Sequence, residues 1–457
     1  MLESFSRDKS FYRDALMLSW PVIVQNLLNN GLAFLDSLMI GSLGEGYLSG
    51  FSLANTVFFM ATLALFGLQS GSSVLIAQYH GKGDTPTINR VMGIGFGLSF
   101  TISMIIASSV LLFPMQVYSL TTNDLELAAI AASYGRIAAP SMILNSLSMI
   151  YLSAQRSMEN PRLGMYMLGA SMALKTILNW LFIFGMLGFP ALGIQGAALA
   201  TLLSRIVEFS ATLTYALRNR RFRLQFDKLL RPGKTIFMDF LKYSLPVVVN
   251  ETIWGFGATL YTVIFGHLPD ALAALAAYAI VMNLERMLGA VYSGLGHAAA
   301  ILVGKDLGAG RRASAYQSGF TMLILTTGFG VVSALVMAAL SYRVILPYVF
   351  PLFGATAATL LISGPILLIL IASLPFRALN FVCLVGLFRG GGDVRAGMVI
   401  DLCSMYAVAI PLSALAGFVF HASAPTVFFC MSMEEFIKGC LVFLRFRQKR
   451  WLQNITR

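Results

Sequence analysis

Residues 19–43, SWPVIVQNLLNNGLAFLDSLMIGSL, decide how this chain is read. A bilayer-spanning helix takes about 20 predominantly apolar residues, and the stretch supplies them while holding an aspartate, Asp36, well inside the span. A carboxylate at membrane depth costs about 2.5–3.5 kcal/mol on insertion scales, so it faces a cavity or a partner. The pattern returns at residues 244–268, SLPVVVNETIWGFGATLYTVIFGHL. With one constant shift, Ser19 falls on Ser244, Pro21 on Pro246, Val22 on Val247, Val24 on Val249, Gly41 on Gly266 and Leu43 on Leu268. Asp36 falls on Tyr261, and a different acid, Glu251, follows Asn250, the counterpart of Gln25. Two halves share one plan, each with an acid in its first span.

The composition agrees. Of 457 residues, 57% are hydrophobic and only 11% charged, and the mean hydropathy of +0.77 belongs to a polytopic helical membrane protein rather than a soluble domain. The net charge of +12 would suggest nucleic acid as a partner in a soluble protein, but its placement points to a membrane. Basic residues collect in alternate connections: Lys82 and Arg90; Arg156 and Arg162; Arg218 through Lys242; Lys305, Arg311 and Arg312; Arg389 and Arg395; and the tail from Arg445 to Arg457. The intervening connections near residues 42–50, 114–126, 188–193, 268–271 and 420–424 hold none, and Arg343 alone lies near the remaining one. That is the positive-inside pattern, which puts both termini in the cytoplasm of an inner-membrane protein and requires an even number of spans.

Hydrophobic runs predict spans near 13–40, 52–78, 92–113, 127–154, 164–187, 194–217, 243–267, 272–303, 316–342, 359–386, 397–419 and 425–445. The expected fold is all-α, with twelve transmembrane helices in two six-helix lobes related by the internal repeat. Residues 1–217 form the first lobe and 243–457 the second, with a short basic tail. Between them the basic connection 218–242 is read as carrying a short amphipathic helix on the inner surface. The polar start, MLESFSRDKSFYRD, has no short apolar core, so the first span is read as its own insertion signal. The four cysteines are read as core residues, since their spacing suits neither metal nor disulfides.

The repeat extends past the opening stretch. AQYHGKGD (77–84) matches GKDLGAGR (304–311) through Gly81/Gly308 and Gly83/Gly310; AQRSMENPR (154–162) matches LFRGGGDVR (387–395) through Arg156/Arg389 and Arg162/Arg395. Six spans per half give parallel repeats about an axis along the membrane normal, one recurring plan of transporters that work by alternating access. PVIVQN…LDSLMIGSLGE, FGLQSGSSVLIAQYHGKGD, LGIQGAALATLLSRIVE, the 244–268 stretch and FRGGGD (388–393) occur in the order and spacing of the multidrug and toxic compound extrusion (MATE) family. From residue 15 to 440 the chain resembles that family. The resemblance implies an efflux antiporter that exports organic compounds, often amphipathic cations, against inward H+ or Na+.

An antiporter needs a group whose affinity differs between conformations, and a desolvated carboxylate meets that need. The resemblance makes Asp36 part of a first-lobe cation or proton site. Of its usual fifth-span companions Asn179 is present, while Lys175 stands where another Asn is expected, four residues earlier on the same helix face. A sodium ion near Asp36 is therefore in competition with the lysine ammonium. Lys175 either pairs with Asp36, as a fixed ion pair or a proton-coupled switch, or snorkels to an interface. Glu251 is the second candidate for H+ or Na+, with Trp254 and Tyr261 as aromatic walls for cationic substrates. Its alternative is a structural pair with Arg286 or another buried base. Gln25, Asn250, Asn283, Arg286 and Asn380 complete the candidate substrate cavity. Asp401, Arg377, Arg205, Glu208, Glu434, Glu435 and Lys438 are assigned inter-helix or interfacial roles.

Two other classes were weighed. A lipid-linked-precursor flippase of the wider superfamily would want a basic cavity for phosphates, for which Arg286, Arg377 and Lys175 are the available groups. A membrane enzyme is opposed by four scattered histidines without a nucleophile–base arrangement, and no phosphate loop for nucleotide-driven pumping is present. No cofactor is expected beyond the coupling ion. The partners expected are small organic substrates and lipid, with no nucleic acid, and the protein is read as a monomer.

Overall fold

The computed structural model describes residues 8–352 and 356–457, so the first seven residues of the polar N-terminal stretch lie outside it. Twelve long helices carry the chain: α1 (Lys9–Gly41), α2 (Glu45–Lys82), α3 (Thr85–Leu112), α4 (Leu125–Ser157), α5 (Pro161–Phe184) and α6 (Gly193–Arg218); then α7 (Lys234–Gly266), α8 (Ala271–Gly308), α9 (Arg312–Val349), α10 (Ala357–Phe388), α11 (Val394–Val419) and α12 (Ala424–Arg447). Among the described residues, ten helices are long and apolar enough to cross a membrane. The other two are α1, whose hydropathy is lowered by Gln25, Asn26, Asn29 and Asn30, and α12, which carries Glu434, Glu435 and Lys438. The all-helical polytopic architecture expected from the sequence is present, and each helix overhangs its apolar core, because a polar turn continues a helix as readily as an apolar one.

Local chemistry sets the helix ends. Asp84 caps α3 by accepting from the Thr87 N–H at 3.0 Å, and Asp124 caps α4 by accepting from Glu126 and Leu127, each satisfying backbone donors that a helix start leaves open. The inner-side turns repeat one geometry. In 79–84 and 306–311 the last residue donates back to the first (Asp84 to Tyr79, Arg311 to Asp306), with Gly83 and Gly310 left-handed at φ 79° and 77°. In 155–160 and 388–393 the same bond runs from Asn160 to Gln155 and from Asp393 to Phe388, with Glu159 and Gly392 left-handed at φ 64° and 82°. These are Schellman-type closures, and they fall on the positions the sequence repeat aligned.

Packing repeats too. α2 packs on α3 and α4, α3 on α4, and α4 on α6; their counterparts α8, α9, α10 and α12 pair in the same way. The chain divides into two compact units, residues 24–248 and residues 1–23 with 249–457. In the first unit, Gly67 and Gly71 on α2 let the start of α7 approach closely. A Cβ on Gly67 would lie 2.5 Å from the Val248 Cα, and one on Gly71 would lie 2.4 Å from the Ser244 Cα. In the second, Gly294 on α8 does the same for the start of α1 at Ser19 and Ile23. Each unit therefore takes in the opening of the other repeat's first helix.

The basic connection folds as a five-residue helix, Phe226–Leu230, packed on α3, while residues 234–242 belong to α7. The tail is a covered element. Trp451 is fully buried, stacks on Phe446 and is followed by Gln453, whose N–H donates to the Gly391 carbonyl at 3.0 Å. Of the cysteines only Cys383 is buried in the core; Cys403 and Cys440 are exposed, because they fall on the outward faces of α11 and α12.

Candidate ion-coupling sites

In the 24–248 unit, Asp36 is buried on the face of α1 that also carries the buried Ile40 and the half-buried Leu32 and Met39. Its two oxygens divide between two donors on one face of α5. Lys175 Nζ reaches Oδ2 at 2.6 Å and Asn179 Nδ2 donates to Oδ1 at 2.7 Å. The pairing reading of Lys175 is the one the structure shows, and the snorkelling reading is not. The lysine ammonium sits directly on the Asp36 carboxylate, and charge-assisted bonds of this length are the strong kind. On α6, Arg205 and Glu208 pair at 2.6 Å, with Arg205 within electrostatic reach of Lys175. Two acids meet two bases, so the buried charges of this group cancel.

The second unit is built differently. Glu251 pairs with Arg389 at 2.6 Å, a buried base in the FRGGGD turn, rather than with Arg286, which lies exposed on α8. Asn250 donates to Asp401 Oδ2 at 2.9 Å. Tyr261, standing at the repeat position of Asp36, donates to Glu434 Oε2 at 2.8 Å, and Asn380 donates to Glu435 Oε2 at 2.7 Å. Lys438 Nζ lies 2.6 Å from both Asp401 and Glu434. Arg377 stands between Glu285 at 3.8 Å and Glu435 at 3.6 Å, and the Tyr292 hydroxyl donates to Glu285.

The named candidates thus fall into groups. Asp36, Lys175 and Asn179 come together. Glu251, Asn250, Tyr261 and Asn380 belong to the charged network of the second unit. Trp254 and Asn283 are exposed on α7 and α8, and Gln25 donates to the Pro161 carbonyl at 3.2 Å. Glu434, Glu435 and Lys438, assigned inter-helix or interfacial roles from the sequence, sit at the middle of α12, which runs from Ala424 to Arg447. The signal was available: an acid and a base four apart on one helix face, inside a segment that otherwise has to be apolar.

A helical membrane fold of two repeats, each with ionised side chains paired at depth, defines the class of secondary transporters. The MatE family profile matches residues 21–181 and 246–415; the chain belongs to the MATE family. It is 26% identical over 450 residues to a protein of Mesorhizobium japonicum described as a probable multidrug resistance protein NorM, covering 97% of this chain and 94% of that one. Its fold matches a MOP superfamily transporter of Pyrococcus furiosus with a TM-score of 0.86 at 16% identity, over 95% of both chains. It also matches a mutant of the Vibrio cholerae MATE transporter VcmN with a TM-score of 0.84 at 19% identity, over 96% of this chain and 97% of that one.

Proposed function

We propose that this protein is a multidrug efflux antiporter of the inner membrane, with both termini cytoplasmic. It exports small organic, often cationic and amphipathic compounds by alternating access between lobes 1–217 and 243–457, driven by an inward ion. The observation that carries the reading is the pair of acids at membrane depth, Asp36 and Glu251, each held by a base within its own unit. Because Lys175 holds the place of a cation at Asp36, H+ is favoured over Na+ as the coupling ion. The flippase reading keeps only Arg286 of its three phosphate ligands, since Lys175 and Arg377 are engaged by carboxylates.

The test is efflux of a fluorescent organic cation from proteoliposomes under imposed pH and sodium gradients, for the wild type, Asp36→Asn and Glu251→Gln. A pH-driven flux that either substitution weakens supports antiport. Flux indifferent to both gradients and both substitutions refutes it, and scrambling of a lipid precursor without cation efflux assigns the flippase instead.

A further inference from the structure

The buried charges of the 1–23 and 249–457 unit do not cancel. Glu251 pairs with Arg389 and Asp393 with Arg445. Two further bases are each shared by two acids: Lys438 by Asp401 and Glu434, and Arg377 by Glu285 and Glu435. Each triad therefore holds one negative charge more than its base can balance. Glu251 and the four triad acids lie on helices of one unit, and Asp401, Glu434 and Lys438 have side chains no more than 13% exposed.

The hydrogen-bond inventory has the same imbalance. Ionised carboxylates only accept, and Asn250 and Asn380 turn their NH2 groups to Asp401 and Glu435. That leaves Asn250 Oδ1 and Asn380 Oδ1 buried without a donor. The region has too many acceptors and too much negative charge, and an uncompensated buried charge costs several kcal/mol. A proton relieves both deficits at once, because a protonated carboxyl sheds its charge and becomes a donor. Among the described residues, no three His, Cys, Asp or Glu side chains are grouped to hold a metal ion.

Building on the antiport reading, we propose that the Lys438 triad is a proton-loading site: Asp401 and Glu434 share one transported proton around the Lys438 ammonium. The proton adds to a carboxylate oxygen, forming an O–H bond and taking the triad from net charge −1 to neutral; on release it returns to water on the inner side. Lys438 touches both acids at 2.6 Å, so it stays paired whichever one is protonated. Tyr261 on α7 orients Glu434, and Asn250 orients Asp401. The other groups facing Glu434 are Glu435 on α12, Arg377 on α10 and Tyr278 on α8; Glu435 and Arg389 face Asp401, and Glu435 also faces Lys438. Where Asp36 has Lys175 to itself, Asp401 and Glu434 share a single base, and the Lys438 triad keeps one acid in excess.

The experiment measures proton release from the purified full chain in lightly buffered detergent when tetraphenylphosphonium is added, together with pH-driven efflux in proteoliposomes. Wild type is expected to release protons, while Glu434→Gln and Asp401→Asn abolish the release and flatten the pH dependence of tetraphenylphosphonium affinity. Glu434→Gln should melt no lower than wild type, since it leaves Asp401 and Lys438 as a balanced pair. A merely structural Glu434 would instead lower the melting point and leave the pH dependence alone, which overturns the proposal. Wild-type proton release retained by both variants overturns it as well, with antiport intact. A wild type that neither releases protons nor responds to a pH gradient overturns the antiport reading itself.

Discussion

Replacing Lys175 with Met removes the base from Asp36 while keeping most of the side-chain volume. The pair is largely withdrawn from water, with side-chain exposures of 8% for Asp36 and 15% for Lys175. Breaking such a pair from one side costs about 3–5 kcal/mol, because the surviving charge stays buried. Asp36 has a second course, which is to take a proton. From the ordinary carboxyl range that costs about 4 kcal/mol at pH 7 and about 1.4 kcal/mol less for each pH unit below it. The expected loss in Lys175→Met is therefore about 3–4 kcal/mol at pH 7, shrinking to about 1.5 kcal/mol at pH 5. The sign is fixed: the deficit grows as pH rises, since protonation is what rescues the variant. Asp36→Asn alone strands the lysine in the same way, whereas combining it with Lys175→Met leaves no buried charge and should recover most of the loss, giving a coupling of roughly 5 kcal/mol between the sites at pH 7. The assay is unfolding in mixed micelles from pH 5 to 8 for wild type, both single variants and the double. Additive single effects, or a Lys175→Met deficit that does not change with pH, would refute the pairing.

Further outcomes follow from other contacts. Glu251→Gln removes the carboxylate 2.6 Å from Arg389, whose side chain is 9% exposed and which does not deprotonate in proteins, so its loss of up to about 3 kcal/mol should be flat across the same pH range; a deficit that vanishes at low pH contradicts this. Gly67→Val drives a side chain into the Val248 backbone and should destabilise by about 3 kcal/mol, at the upper end for overpacking, as read from the melting point and detergent-solubilised yield. Trp451→Ala empties a fully buried site and should cost about 3–5 kcal/mol, measured the same way; an unchanged melting point would mean the tail is not part of the core. Glu159 is left-handed at φ 64°, where its repeat counterpart is Gly392, so Glu159→Gly should gain roughly 0.5–1 kcal/mol, and a lower melting point would argue against that turn geometry.

Much of the architecture was legible because membrane insertion is governed by composition. Apolar runs, alternate basic connections and the 19–43/244–268 repeat led to twelve helices, and the repeat was precise enough to align Gly83 with Gly310 and Arg156 with Arg389. The Asp36 site was legible because its partners share one helix face four residues apart. The charged network of the second unit was not. Its members come from α7, α8, α10, α11 and α12, separated by up to 187 positions between Glu251 and Lys438, and no local spacing shows that Lys438 serves two acids. The base of Glu251 could not be named for the same reason: Arg389 lies in a glycine-rich turn whose own signal is backbone geometry.

The openings of α1 and α7 lie in the units opposite to their own repeats, and this sets an order on biosynthesis. As the chain emerges, residues 24–217 cannot complete their unit until the start of α7 has been made, and the start of α1 at Ser19 and Ile23 waits for α8 to supply Gly294. Cutting the chain in the 218–242 connection would give two fragments that each lack a piece of their own core, so neither half stands as an autonomous folding module.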